Sequence, residues 1–296
     1  MNQKLLKLTA FLLVLTCIAS SCQPEEIEYT ILPTSLNFDA TGSEAEFTVS
    51  VKSPAIVESV ESLAEWCQVS KNGVSPVIVT VSPNTNYFDP RNTTVVVNMK
   101  LGETKTSVAV QITQEKAEIP EWVLIAGIKW ATRNVDMPGT FAAKPEDAGM
   151  FYQWNRKVGW SATDPMVNSD GSTTWDNSDA PGIIWEKTND PCPSGWRVPI
   201  HEEHESLVNA GSEWTTINGV CGLIFGSDDN LLFLPAAGWR NTNGKLTSVD
   251  THGQYWNGST YSSVSMSVLG LANMGAFVGY VRSGRAQGIP VRCVQE

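Results

Sequence analysis

The side chains best suited to chemistry fall into a few clusters. His201-Glu202-Glu203-His204-Glu205 sets two imidazoles among three carboxylates. A zinc-peptidase helix needs histidines at i and i+4, so that both rings share one face with the general base between them. Here the spacing is i, i+3 and position 205 is Glu, which predicts a solvated helix face. Asp170, Asp176 and Asp179 lie in a polar loop from Ser161 to Asn189 and could supply some of the 6–8 oxygens that calcium takes. There is no G-x-S-x-G elbow and no Gly-rich phosphate loop, and His252 falls in the turn Asp250-Thr251-His252-Gly253. The expectation is no catalytic set, no metal and no cofactor, hence no enzyme.

Tryptophan is the other candidate chemistry. The chain has 296 residues and 11 Trp, of which Trp66 alone precedes residue 120. A flat indole stacks on the apolar face of a pyranose while neighbouring polar groups bond its hydroxyls. Trp160, Trp175, Trp185 and Trp239 sit beside Gly, Asn or Asp, or in the polar loop, and are the ligand-facing candidates, with Arg240 as a hydroxyl partner. Each also fits a core position. The expected partner is a glycan or glycoprotein. A surface protein contacted through the same aromatic region is the alternative, in a structural or fimbrial/surface-complex subunit. A net charge of −11 repels phosphate backbones and argues against nucleic acid.

The first 21 residues have the layout of a secretory signal: Lys4 and Lys7, an apolar run from Leu8 to Ile18, then Ala19-Ser20-Ser21. Cys22 follows directly and is the expected lipid-attachment residue, although Ala19 stands where a lipoprotein box usually has Leu. Cys17, behind the bulky Leu15 and Thr16, is the rival. Two or more acyl chains hold a protein on a membrane without a spanning helix. Residues 22–27 then form a tether whose Gln23-Pro24-Glu25-Glu26 resembles the surface-export signals of Bacteroidetes lipoproteins. The expected address is the outer membrane, lipid-anchored and surface-exposed. In an oxidising compartment Cys67, Cys192, Cys221 and Cys293 allow three pairings, and none has C-x-x-C spacing.

The elements that must position these groups read as two domains. Residues 28–116 carry short alternating runs such as Glu46–Val51, Pro76–Val81, Thr93–Asn98 and Thr106–Ile112, bounded by turns such as Thr41-Gly42, Asn72-Gly73 and Leu101-Gly102. They predict an all-β sandwich with Trp66 in its core. A charged, proline-containing linker spans 117–121. Residues 122–296 mix strands (a pair around Gly127, Leu231–Pro235 and Ile289–Val294) with a helix opening at Pro199, whose Leu207 and Val208 face the core.

Two resemblances follow. Leu32-Pro33-Thr34-Ser35-Leu36-Asn37-Phe38, the Trp66 strand, Asn84 with Arg91-Asn92-Thr93-Thr94, and Val110-Gln111-Ile112-Thr113-Gln114 resemble the BACON domain, an immunoglobulin-like module of Bacteroidetes surface proteins. Its name implies carbohydrate binding, but the rings of Phe38, Phe47, Trp66, Tyr87 and Phe88 make a poor sugar platform, so a spacer is expected. Residues 122–296 resemble the Fibrobacter succinogenes major paralogous domain through Lys129-Trp130-Ala131-Thr132-Arg133-Asn134-Val135, Phe151-Tyr152-Gln153-Trp154, Cys192-Pro193-Ser194-Gly195-Trp196-Arg197-Val198-Pro199, Phe233-Leu234-Pro235-Ala236-Ala237-Gly238, Tyr255-Trp256 and Pro290-Val291-Arg292-Cys293-Val294. By analogy this implies an α+β C-type-lectin-like fold, a Cys192–Cys293 disulfide, thiols at Cys67 and Cys221, and framework roles for Trp130, Trp154, Trp196 and Trp256. The calcium-lectin Glu-Pro-Asn loop is absent, and Trp175-Asp176-Asn177 only imitates the Trp-Asn-Asp triplet.

Overall fold

A computed structural model describes residues 26–70, 75–227, 229–262, 265–282 and 284–296. Cys22, Cys17, the leader and the Asn72-Gly73 turn lie outside them. The chain divides into two compact units: residues 26–36 with Glu44–Thr80 and Thr93–Gln111, and Asn37–Ser43 with Val81–Asn92 and Ile112–Glu296.

The N-terminal strands are β1 (Tyr29–Leu32), β2 (Ser35–Phe38), β3 (Glu44–Val51), β4 (Ile56–Ser62), β5 (Cys67–Val69), β6 (Val77–Val81), β7 (Arg91–Leu101) and β8 (Thr104–Gln114). They form two four-stranded sheets, ordered β1-β3-β6-β5 and β2-β8-β7-β4. Alternation sends every second side chain inward, because successive Cβ atoms point to opposite faces of a strand. Phe47, Val49, Val77, Val79, Val81, Val95, Val97, Met99, Val110 and Ile112 are buried, and their neighbours along each strand are more exposed. Phe38, Tyr87 and Phe88 are also buried, whereas Trp66, expected in the core, is half-buried and Tyr29 is exposed. Tyr87 and Phe88 pack within the second unit, where the Tyr87 hydroxyl bonds the Leu231 carbonyl and Phe88 meets Phe233 edge-on at 6.3 Å.

The rest of the second unit contains β9 (Trp122–Ile125), β10 (Ile128–Ala131), β11 (Met150–Tyr152), β12 (Gly159–Ser161), β13 (Trp196–Arg197), α1 (His201–Asn209), β14 (Ser212–Ile217), β15 (Val220–Ser227), β16 (Asn230–Pro235), β17 (Trp239–Arg240), β18 (Leu246–Thr247), β19 (His252–Ser262), β20 (Ser265–Ala272), β21 (Gly275–Arg282) and β22 (Val294–Gln295). Among the described residues α1 is its one α-helix, set against small sheets β13-β22-β10-β9, β14-β15-β16 and β19-β20-β21. None of the described helices is long and apolar enough to cross a membrane. The helix opens at His201, two residues beyond Pro199. Glu203 accepts the Ile200 N–H at 2.8 Å, and the Ser259 hydroxyl accepts the His201 N–H at 3.0 Å, so two of the helix's orphan donors are satisfied. Leu207 is fully buried and Val208 half-buried.

Residues far apart in sequence meet around the C-terminal segment. Trp130, Trp154 and Trp256 are wholly buried, and Trp196 nearly so. Arg292 is buried with Nε donating to Asn134 Oδ1 at 2.8 Å and Nη1 to the Ala131 carbonyl at 3.2 Å. Burial brings its pKa down to about 10. Cys192 and Cys293 are bonded, closing a sequence separation of 101 residues. Cys293 lies just before β22, which is far shorter than the strand expected over 289–294, because Ile289 makes only an isolated bridge to Tyr152.

Candidate binding cleft

Of the five side chains expected to face a ligand, the structure brings Trp160, Trp175 and Arg240 together in a loop-closing cluster and places Trp185 at a separate cleft. Arg240 is only 1% exposed. Its Nε donates to Ser161 O at 2.9 Å, Nη1 to Gly244 O at 2.8 Å and Asp164 Oδ1 at 3.0 Å, and Nη2 to Thr163 O at 2.6 Å. Every guanidinium nitrogen is thus spent on closing the 161–164 loop, which corrects the expectation that Arg240 bonds sugar hydroxyls. Trp160 is also removed from the ligand-facing set, since it is 2% exposed. It sits on β12 with its ring centre 4.7 Å from that of Trp175.

Trp175 is half-buried and acts as a peg for the polar loop. Its Nε1 donates to the Thr242 carbonyl at 3.0 Å, and its ring occupies the space that Cβ atoms at Gly244 and Gly288 would need. The sequence signal was therefore real, but it marked a loop folding back on glycines. Trp239 is half-buried on β17, beside the cluster that contains Trp256 and Val268.

Trp185 borders a cleft of about 690 Å³. Its indole meets Trp154 edge-on at 5.9 Å and donates from Nε1 to the Asn189 carbonyl at 3.0 Å. The apolar wall continues through Ile183, Ile184, Val198 and Ile200. Ile183 and Ile184 are 66% and 58% exposed, and Ile200 is exposed as well. These isoleucines were not among the expected ligand-facing residues; the available signal was a pair of β-branched apolar residues, Ile183-Ile184, inside an otherwise polar loop with no strand alternation.

The polar groups of the cleft are already partnered. Arg197 bonds Glu203 through both terminal nitrogens, at 2.8 and 2.6 Å. Asp190 accepts the Cys192 and Val198 amides at 2.9 and 3.1 Å, and burial outweighs these bonds in raising its pKa. Thr260 Oγ1 donates to Ile183 O at 2.9 Å, and Lys187 pairs with Glu296. Such a cleft holds its shape with few free polar groups.

The His-Glu motif resolves into a packing network. His204 is fully buried, stacked on Trp130 with ring centres 5.8 Å apart, and its Nδ1 accepts from Asn257 Nδ2 at 3.2 Å. Burial, assisted by the nearby His201, pulls its pKa down to about 3. It is therefore an interior residue, contrary to the expected solvated face. His201 links Glu205 at 3.2 Å to the Ser267 hydroxyl at 2.8 Å, an acid–base–hydroxyl order familiar from hydrolases. Ser267 is wholly buried and also takes a bond from Asn257 at 2.9 Å, and the His201 ring stacks on Tyr280. The hydroxyl has no face open to a substrate.

Asp176 is likewise occupied. Ser178 donates to it through its hydroxyl and amide, Arg156 adds an ion pair, and together they draw its pKa down to about 2. Among the described residues no three His, Cys, Asp or Glu side chains gather at metal-binding distance. Cys67 is buried, and Cys221 is a half-buried thiol 3.6 Å from Thr216 Oγ1.

Residues 57–115 match the BACON family, described as a putative binding domain, N-terminal. No curated protein matches the chain. Among solved structures, a Bacteroides ovatus GH5 xyloglucanase in complex with a XXXG heptasaccharide is 17% identical over 54% of this chain and 33% of its own, with a TM-score of 0.25. The chain thus spans about a third of that enzyme's length. A protein from Bacteroides thetaiotaomicron, solved by NMR, is 12% identical over 33% of this chain and 93% of its own, with a TM-score of 0.22.

Proposed function

We propose that this is a non-enzymatic surface lipoprotein, anchored through Cys22 at the outer membrane, that binds a glycan or glycoprotein through the region after residue 121. The BACON-like strands serve as a spacer. The region after residue 121 is read as a C-type-lectin-like member of the Fibrobacter succinogenes major paralogous family. The meeting of its motif residues Trp130, Asn134, Cys192, Arg292 and Cys293 in one buried frame supports that reading.

The observation that carries the binding role is the Trp185 cleft: an open aromatic and aliphatic surface whose charged lining groups are paired with one another or with backbone. Paired groups hold shape and are poor acids, bases or nucleophiles, which favours recognition over chemistry. The exposed Ile183, Ile184 and Ile200 favour a second reading, contact with a protein partner in a surface complex, because aliphatic rims desolvate best against apolar protein surface. Binding of the purified chain to immobilised oligosaccharides and glycoproteins, compared with Ile184→Asp, distinguishes these. Glycan or glycoprotein binding supports the first reading. Its absence, with stable co-purification of a surface protein that Ile184→Asp disrupts, replaces it with the second. Acyl-chain labelling that persists in Cys22→Ala would refute the anchor.

A further inference from the structure

We infer that the Trp185 cleft selects an acetamido sugar: the methyl group of a neutral N-acetylated pyranose rests on the isoleucine wall while its amide meets the hydroxyls of Ser259 and Thr260. The inference rests on the glycan-binding reading above and names the sugar class for that same cleft.

Two lining segments make the site. One is the loop that carries Ile183 and Ile184, both exposed. Its backbone is held from within the domain: the buried Asn155 amide donates from Nδ2 to Pro181 O at 3.1 Å and accepts the Glu186 N–H on Oδ1 at 2.8 Å, and Thr260 Oγ1 donates to Ile183 O at 2.9 Å. An aliphatic wall fixed in advance loses little entropy when a ligand meets it. The other segment is the middle of β19, whose pairing with β20 shifts register between Trp256 and Thr260. Regular alternation would send consecutive side chains to opposite faces, and the irregularity lets Gly258, Ser259 and Thr260 all line the cleft. Gly258 leaves room for Trp185, whose Cβ would stand 3.3 Å from a Cβ there.

The two hydroxyls keep polar capacity that the charged groups of the cleft have spent. Ser259 Oγ accepts the His201 N–H at 3.0 Å, and its own hydrogen has no acceptor among the described residues. Thr260 Oγ1 gives its hydrogen to Ile183 O and keeps lone pairs to accept with. Together they offer one donor and one acceptor, the complement of an amide C=O and N–H. A hexose carrying only hydroxyls would bring several polar groups to a wall that answers few of them, and each one buried without a partner costs affinity. An acetamido group brings one acceptor, one donor and a methyl for the aliphatic wall. The charges agree with a neutral ligand. Arg197 is paired with Glu203, Lys187 with Glu296, and Asp190 with two amides, so a cationic amino sugar or an anionic uronic acid would compete with pairs already made.

The test titrates the full chain by calorimetry with N-acetylglucosamine and N-acetylgalactosamine oligosaccharides, and with the same linkages carrying a 2-hydroxyl or a free 2-amine in place of the acetamido group. The acetamido sugars are expected to bind roughly 10-fold more tightly than their 2-hydroxyl counterparts. Ile184→Asp should weaken them roughly 10-fold with an unchanged melting temperature, since the side chain is exposed, and Ile184→Leu should retain binding. Ser259→Ala should weaken acetamido binding roughly 2- to 10-fold and leave any 2-hydroxyl binding unchanged, whereas mere loosening of the helix start would weaken both. Equal affinity for the 2-hydroxyl sugars, or preference for the amines, with loss in Ile184→Asp, would overturn the acetamido assignment while keeping the glycan-binding reading. Acetamido binding untouched by Ile184→Asp would overturn the cleft as its site. No glycan binding by the wild type would overturn this inference and the glycan-binding reading together.

Discussion

Replacing Arg240 by alanine should loosen one loop system without touching a ligand. The guanidinium is buried, and it bonds Ser161, Thr163 and Gly244 carbonyls together with Asp164. Thr163 and Asp164 are exposed, so water replaces the lost donor there at little cost. Ser161 is half-buried and Gly244 buried, and bonds from a charged donor to such carbonyls are worth about 1.5–3 kcal/mol each. Allowing for water entering the space the side chain vacates, the expected loss is about 3 kcal/mol. Arg240→Lys keeps the charge but not the planar fork that reaches separate carbonyls, and should recover about half. Native-state hydrogen exchange read by fragment is the assay. The segments around residues 161–168 and 241–247 should lose protection first in Arg240→Ala, while β14–β16 stay protected. If Arg240→Ala abolished oligosaccharide binding with protection and melting temperature unchanged, Arg240 would face a ligand after all.

His204 keeps a neutral imidazole in the folded state down to about pH 3, whereas in the unfolded chain it takes a proton near pH 6.5. The unfolded state therefore binds more protons between those values, and stability falls as pH drops through that window, by up to about 1.4 kcal/mol per pH unit. His204→Gln should flatten the dependence of melting temperature on pH between 6.5 and 4.5; an unaltered slope would show that His204 is not its source. Removing the Cys192–Cys293 bond should cost about 2–5 kcal/mol, given a separation of 101 residues. Cys192→Ala, Cys293→Ala and the double variant should show the same drop in melting temperature, and a reductant should add nothing to any of them. Gly222→Ala should lower the urea midpoint by the equivalent of about 2–4 kcal/mol, since its Cβ would stand 2.3 Å from the Leu234 carbonyl oxygen and 2.7 Å from the Phe233 ring. A midpoint within error of the wild type would contradict the close approach of β15 and β16.

The N-terminal strands were legible because alternation is a local signal: each of Val77, Val79 and Val81 is assigned an inward face by its neighbours alone. The framework tryptophans were legible for a related reason, since Trp130, Trp154 and Trp256 sit in dense apolar motifs that have nowhere to go but inside. The helix after Pro199 was readable, but not its buried His204. A helical repeat says which residues share a face, and only the packing of Trp130 against that face decides what covers it.

The ligand-facing set was where sequence reasoning failed most. Trp160, Trp175 and Arg240 stand in polar surroundings in the sequence, yet they close on one another's loops through Gly244, Gly288 and the 161–164 carbonyls. Conversely, Ile183, Ile184 and Phe277 are large apolar side chains that end up exposed. The sequence by itself determined the strand alternation of residues 28–116, the change in composition near residue 120 and the acidic charge that disfavours phosphate-rich partners. The tertiary structure alone decided which rings remain outside. Exposure of a large side chain is not a property of its neighbours in the chain; it depends on which distant strand or loop arrives to cover it, as Gly270 lies beneath Phe277 while Gly244 and Gly288 lie against Trp175.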